Sequence, residues 1–436
     1  MTSQLDDRLA VHFGRRRYGR RPGLHRMRAL TGLLGDPQHR YRCLHVTGTN
    51  GKTTVTRLAS AVLEGHGLRV GAFTSPHLED VRERIVVDGE PVTETALLAA
   101  LDRVEAAVAV VEARLREPVT FFELMTAAAC VLFADAGVDV AVVEVGIGGR
   151  LDPTNVHHGD VAVVASVGLD HPELGSTTAQ VAAEKAGIFE PGATALVGPM
   201  DPAASAVVTE RAAAVGTRLL TYGEHVEVVA RRDARAGQDL AVRLAGTEHR
   251  LWIALRGVHQ AVNAALALAA GAAVLGPDRP LDVARTREAL LRARVPGRTE
   301  RLAYAGRPEV VLDVAHNEDA ARALADTMAT WGRGVPLALV VGASPGRDLE
   351  RFVRPLLPLT SAAYLVTSDA PDGHPGAAGL PRSLAPVDSV TRALTAAERQ
   401  VGPDGRILVT GTHRLVAAAR ELLRQEWSPG RSPQVA

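Results

Sequence analysis

Lysine and arginine together number 49 in this 436-residue chain, yet only two of them are lysines, Lys52 and Lys185. Where arginine supplies nearly all the positive charge, each lysine marks chemistry that a guanidinium does not perform. Lys52 lies in Val46-Thr47-Gly48-Thr49-Asn50-Gly51-Lys52-Thr53-Thr54, which ends a β-branched run and opens an amphipathic one. Gly48 and Gly51 let the backbone turn tightly and present bare N–H groups to an anion. A helix starting at Lys52 adds its positive end, Lys52 reaches the outer phosphates, and the Thr53 hydroxyl is placed to ligate Mg²⁺. The strict phosphate-loop pattern wants glycine where this chain has Val46, so the run is a shortened triphosphate cradle.

Lys185 lies in Glu184-Lys185-Ala186-Gly187-Ile188 at a predicted helix end. An uncharged amine reacts with CO₂ to form a carbamate, which converts a cation into a bidentate carboxylate. Two strand ends offer companions for it. The run from Asp139 to Val145 is apolar apart from Glu144 and reads as a buried parallel strand, in which a carboxylate needs a compensating cation. The run from Asp160 to Ser166 is another such strand and leads to Asp170-His171. Thr53, Glu144, His171 and a carbamylated Lys185 are oxygen and imidazole donors suited to a divalent metal. Between the two strands, Gly146-Ile147-Gly148-Gly149-Arg150-Leu151-Asp152-Pro153-Thr154-Asn155 is too polar and too glycine-rich for a packing element, and reads as a ligand-contacting loop.

The elements that must position these groups alternate strand and helix. Strand 43–47, the cradle and a helix of about 15 residues form the first unit, and strand 69–73 runs into Thr74-Ser75-Pro76-His77-Leu78 at a carboxyl edge, where open α/β sheets bind ligands. Helices follow at about 94–115 and from Thr120. The adjacent Phe121 and Phe122 could stack on a flat ligand, although spacing alone favours a core-facing pair. Strands 193–198 and 217–222 and a meander at 225–254 complete the first sheet system. The helix from Val258 carries His259 and Asn263 on one face. Arg294-Val295-Pro296-Gly297-Arg298 is a hinge. Beyond it, strands at 309–314, 336–342, 362–367 and 406–410 alternate with helices, a smaller Rossmann-like domain whose first strand ends in Asp313-Val314-Ala315-His316-Asn317. The fold class is therefore α/β, with a mostly parallel central sheet in the ATPase domain and a second, smaller Rossmann-like domain.

Composition removes other classes. Formal net charge is zero, which gives no electrostatic argument for nucleic acid or an acidic membrane as partner. The basic cluster Arg15-Arg16-Arg17 with Arg20-Arg21 reads as a solvated arm. Cys43 and Cys130 are the only cysteines, fitting a reducing compartment. No apolar run approaches 18 residues and the N-terminus has no signal-peptide core, so a cytosolic protein without membrane contact is expected.

In order and spacing, the motifs resemble those of the folylpolyglutamate synthase/dihydrofolate synthase family within the Mur ligase superfamily. The resemblance is carried by Gly48–Lys52, Thr74–Leu78, Phe122-Glu123, Glu144–Asp152, Leu169–His171, Glu184–Ile188, Pro296–Arg298 and Ala315–Asn317, and runs from about residue 22 to 423. It implies an ADP-forming amide ligase using ATP and two Mg²⁺ sites, acting on a pterin-bearing carboxylate and L-glutamate. By matching motif, it assigns ATP binding to Thr49, Asn50, Gly51, Lys52, Thr53, Thr54, Asn263, Arg298, Asp313 and His316. Metal binding falls to Thr53, Ser75, Glu144, His171 and Lys185, catalysis to Lys52, His171 and Lys185, and acceptor binding to Phe122, Arg150 and Asp152. Domains are expected at 1–295 (ATP and acceptor) and 296–426, with a flexible tail at 427–436, in a monomer. Some positions depart from the pattern: Asp170–Gly175 is one residue short, Gly411-Thr412-His413-Arg414 lacks an aromatic pair, and Val314 replaces a glycine. These fall on the acceptor side, which leaves open a related amide ligase of specialised metabolism joining a non-folate acid to an amino acid or amine.

Overall fold

The computed structural model describes residues 4–13, 23–234, 236–331, 334–343, 348–367, 383–427 and 434–435. The arginine cluster at 15–17 and 20–21 lies outside them. The chain divides into two compact units. The first comprises 1–230, 241–251 and 262–293, and the second 231–240, 252–261 and 294–436.

In the first unit, helices α1 (Gln4–Phe13) and α2 (His25–Leu33) precede β1 (Arg42–Thr47), which leads through the cradle into α3 (Lys52–Gly65). The buried face of α3, Val55, Leu58, Ala59, Val62 and Leu63, has the three- and four-residue spacing of an amphipathic helix. Next come β2 (Val70–Phe73), β3 (Ile85–Val87), β4 (Glu90–Pro91), α4 (Glu94–Leu115) and α5 (Phe121–Ala136). Thr120 and Glu123 form a reciprocal capping box that fixes where α5 begins, and Gly137, in the left-handed conformation, ends it. β5 (Val140–Glu144), β6 (Val161–Val164), α6 (Thr178–Lys185), β7 (Thr194–Val197), α7 (Pro202–Val215) and β8 (Arg218–Thr221) complete an eight-stranded sheet of order β4-β3-β2-β5-β1-β6-β7-β8. From β2 to β8 it is parallel, and β3 and β4 are antiparallel additions at one edge.

β1 sits between β5 and β6, with Val46 opposite Glu144 and Thr47 opposite Val164. This register brings the cradle, the Glu144 carboxylate and the loop after β6 to one carboxyl edge, at the point where strand order reverses. All five β5 residues are buried, as befits a parallel strand covered on both faces.

The meander differs from expectation. β9 (Val226–Ala234), β10 (Gly237–Leu244) and β11 (Thr247–Ile253) form a three-stranded sheet of their own and do not extend the main sheet. Along β10, buried residues alternate with half-buried ones, as in a strand with one wetter face. The following helix, α8 (Val258–Leu275), is by length and composition apolar enough to cross a membrane, with a mean hydropathy of 1.5 over 18 residues. His259, Gln260 and Asn263 break its apolar run, which hid this in the sequence, and 72% of it is buried inside the protein, as in a core helix. α9 (Val283–Arg292) packs on α3 and closes the first unit.

The second unit holds β12 (Glu300–Ala303), β13 (Glu309–Leu312), α10 (Glu318–Thr330), β14 (Leu337–Val341), α11 (Leu349–Val353), β15 (Ala362–Val366), β16 (Leu384–Val387), α12 (Val390–Val401), β17 (Arg406–Thr410), α13 (His413–Glu426) and β18 (Gln434–Val435). Its sheet order is β16-β15-β14-β17-β13-β12-β18, parallel from β16 to β13. Of the segment read as a tail, Trp427 packs edge-on against Tyr304, β18 pairs with β12, and 428–433 and 436 lie outside the described residues.

Candidate active site

Gly51 adopts a left-handed conformation (φ 87°) at the start of α3, and a Cβ there would lie 2.4 Å from Asn263 Oδ1. Only glycine fits both the turn and the approach of α8. The first turn of α3 carries no acidic residue and no side-chain cap, so its positive end is open to an anion. The loop after β6 holds the cradle from the side. Thr49 N–H donates to Ser166 O (2.9 Å), Asn50 N–H donates to Ser166 Oγ (2.9 Å), and the Thr49 hydroxyl bonds both the carbonyl and the N–H of Gly168. Ser166 was not singled out in the sequence because it belongs to no phosphate-loop pattern. The Lys52 amine donates to Gly48 O at 2.8 Å, folded back over the cradle.

Glu144 is 1% exposed. One carboxylate oxygen accepts from the Thr53 hydroxyl at 3.0 Å and the other from Ser75 N–H at 3.2 Å, so these three donors assigned to one metal share one place. Arg57, one turn further along α3, donates to Glu83 O and to the Thr74 hydroxyl, which fixes the loop that carries Ser75. Burial lowers the Arg57 pKa, opposed by the charges of Glu144, Glu83 and Glu64.

A small enclosure is lined by Gly48, Thr49, Lys52, the 146–148 loop, Asp170, His171 and Lys185, so the two lysines and the histidine converge. Lys185 is 2% exposed, and its amine is held well below the usual lysine range. Burial is the main cause and the Lys52 charge the second, against opposing attraction from Asp170 and Asp152. His171 stands 3.5 Å from Asp170 and 3.3 Å from Glu173. Among the described residues, no group of three or more His, Cys, Asp or Glu side chains is gathered to hold a metal by itself. The donor set of hydroxyl, carboxylate and imidazole nevertheless fits Mg²⁺, which keeps few protein ligands and takes the rest from phosphate oxygens and water.

The glycine loop is seated on the end of α6. Arg150 N–H bonds Glu184 O, its half-exposed guanidinium pairs with the Glu184 carboxylate at 2.6 Å, and a Cβ on Gly149 would lie 2.8 Å from the same carbonyl. Asp152, read as an acceptor contact, is 5% exposed and braces the loop. Its carboxylate accepts from Ile147 N–H (2.9 Å), Thr154 N–H (3.0 Å) and the Thr154 hydroxyl (2.6 Å). That hydroxyl in turn accepts from His45 Nε2 at 2.9 Å, which ties the loop to the middle of β1. Phe122 packs on Gly146 and lies 5.8 Å from the Phe73 ring, and both Phe121 and Phe122 also contact the core. Behind them the buried Arg26–Glu123 ion pair (2.9 Å) anchors the capping box; Thr120 and Glu123 at capping-box spacing were its legible trace.

In the second unit, Asp313 accepts from Thr299 N–H and Ala315 N–H, both at 2.8 Å, and so fixes the turn after Arg298. His316 Nδ1 lies 2.9 Å from Val314 O. Gly297 donates its N–H to Glu300, which is paired with Arg420.

Residues 46–271 match the Mur ligase middle domain, and residues 297–413 match the Mur ligase glutamate ligase domain. Dihydrofolate synthase/folylpolyglutamate synthase of Mycobacterium tuberculosis is 36% identical over 400 residues, covering 88% of this chain and 79% of that protein. The chain belongs to the Mur ligase family, on its dihydrofolate synthase/folylpolyglutamate synthase branch. Among solved structures of this branch, M. tuberculosis folylpolyglutamate synthase complexed with ADP and AMPPCP superposes with a TM-score of 0.88 at 32% identity, covering 99% of both chains. An FPGS–AMPPCP–folate complex gives 0.86 at 32% identity, covering 97% of this chain and all of that one. The cradle, Glu144, His171 and Lys185 all fall in the middle domain.

Proposed function

We propose that this Mur ligase joins L-glutamate to a folate-type carboxylic acid, chiefly dihydropteroate to give dihydrofolate, with extension of reduced folates as a further activity. The observation that carries the reading is the convergence of both lysines of the chain, one in an anion cradle and one buried with a depressed amine pKa, on a shared enclosure with His171.

ATP would lie with its phosphates on the cradle of Thr49 to Thr54, against the open end of α3. Lys52 turns from Gly48 O toward the outer phosphates. The acceptor carboxylate attacks the γ-phosphorus, ADP leaves, and an acyl phosphate forms. The amine of glutamate then attacks the acyl carbon and gives up a proton, the amide bond forms, and inorganic phosphate departs carrying the carboxylate oxygen that attacked phosphorus. Thr53, Ser75 and Glu144 would hold one Mg²⁺, and His171 with a carbamylated Lys185 a second; such ions neutralise the charge on the transferred group. The depressed Lys185 amine supports the carbamate, since only the neutral amine reacts with CO₂. Phe122 and Arg150 remain the proposed acceptor contacts, and Asp152 shapes the loop that presents Arg150. Arg298, Asp313 and His316 keep the nucleotide role the resemblance gives them.

Two free, buried cysteines support a reducing cytosolic setting. Mass spectrometry of products from dihydropteroate, tetrahydrofolate and unrelated acids, each with glutamate, tests the acceptor. A product formed only from non-folate acids replaces this reading with that of a specialised amide ligase.

A further inference from the structure

Thr299 holds a backbone conformation that its residue type resists. Its φ is 44°, in the left-handed region, where a β-branched side chain crowds the backbone. Among the described residues the other non-glycine positions with positive φ are Asp36, Asp88, Arg116 and Ala245, none of them β-branched. Such a conformation persists where its surroundings over-determine it. Thr299 is 2% exposed and held from two sides: its N–H donates to Asp313 Oδ2 at 2.8 Å, and its hydroxyl accepts from the Arg256 N–H at 3.1 Å.

Both anchors are themselves fixed. The buried Gln238 amide donates to Gly257 O at 3.1 Å, the Arg256 guanidinium carbon lies 4.3 Å from the centroid of the Trp331 ring, and a side chain on Gly257 would collide with the Thr327 hydroxyl. Asp313 is committed as well to the Ala315 N–H. All of these residues belong to the second unit. On the near side of the turn, Gly297 has φ 68° and its carbonyl accepts from the Val314 N–H at 2.9 Å. Arg298 therefore stands between two left-handed residues, a glycine for which the conformation costs little and a threonine for which it costs more. Glycine at 299 would suit the backbone and would remove the hydroxyl that meets the Arg256 N–H. Rotation about φ of residue 299 turns the 298–299 peptide, and with it the base from which the Arg298 side chain projects.

We propose that Thr299 is a positioning residue for Arg298: clamped between the Arg256 N–H and the Asp313 carboxylate, it holds the strained turn that sets Arg298 for the nucleotide. This rests on the nucleotide role proposed for Arg298.

The test is a double-mutant cycle of Thr299→Gly and Arg298→Ala, read as the KM for ATP and as the calorimetric Kd for ADP, which needs no acceptor. Thr299→Gly weakens both about 5- to 20-fold, while the KM for the acceptor and for glutamate stays within about two-fold. In the Arg298→Ala background the same change moves ADP affinity by less than about two-fold, since no arginine is left to position. Thr299→Ser, which keeps the hydroxyl and sheds the branch, restores nucleotide affinity to within about two-fold of the wild type. Should Thr299→Gly fail to fold, Thr299→Val takes its place in the cycle: it keeps the shape, removes the acceptor and weakens nucleotide binding in the same way. Unchanged nucleotide affinity in a variant that melts like the wild type, an equal rise in KM for all three substrates, full additivity with Arg298→Ala, or a Thr299→Ser enzyme as impaired as Thr299→Gly overturns the proposal. An Arg298→Ala protein that binds ADP like the wild type removes the nucleotide role of Arg298 and this proposal together. Weakened binding in Arg298→Ala with Thr299→Gly unmoved removes Thr299 alone.

Discussion

The Thr53 hydroxyl donates to one oxygen of Glu144 at 3.0 Å while Ser75 N–H holds the other at 3.2 Å, so the first residues of α3 and the end of β5 are locked as one unit. Glu144→Gln keeps the volume and removes the charge. ADP release should fall by about 100-fold or more, because the charge on the transferring phosphoryl loses its counter-ion site. The melting temperature should hold or rise, since a buried carboxylate is replaced by a neutral amide. Unchanged turnover in this variant would separate Glu144 from the chemistry.

Lys185 should carry CO₂. Protein prepared in ¹³C-bicarbonate should show a carbamate carbon by NMR that is absent from Lys185→Arg and Lys185→Ala. Both variants should lose turnover, and formate or acetate should partly restore it in Lys185→Ala by supplying the missing carboxylate. A Lys185→Arg enzyme with full activity would remove the carbamate from the account.

Asp152 should matter for stability before it matters for acceptor affinity. Asp152→Ala leaves the N–H groups of Ile147 and Thr154 without their acceptor, at a cost of about 1–3 kcal/mol. A denaturant midpoint that does not move, together with a large rise in acceptor KM, would return Asp152 to direct substrate contact.

Acid should unfold this protein through buried histidines. Burial holds His45 down to about 3 and His157 down to about 4, against 6.5 when unfolded. The unfolded chain therefore takes up these protons first. Stability is full above about pH 6.5 and is lost as pH falls toward 4 and 3. His45→Gln should flatten that decline in urea titrations run from pH 7 to 4, and an equally steep decline in the variant would assign it to other groups.

Much of this was legible from residue types. The β-branched runs gave the central strands because each is covered on both faces, and the scarcity of lysine isolated Lys52 and Lys185, which the fold brings to one enclosure. What was hidden depended on partners distant in sequence. Asp152 looks like a polar loop residue until Ile147, Thr154 and His45 are seen around it. Ser166 belongs to no motif, and its role comes from the cradle at Asn50. The meander at 226–253 alternates like any half-buried strand set, and alternation does not say which sheet it joins.

The most direct test of the account is coupled ADP release from the wild-type protein with ATP, Mg²⁺, dihydropteroate and L-glutamate, each omitted in turn. A glutamate ligase of this kind releases ADP only when all four are present and makes dihydrofolate in equal amount. ADP release that continues without the acceptor or without glutamate would contradict it.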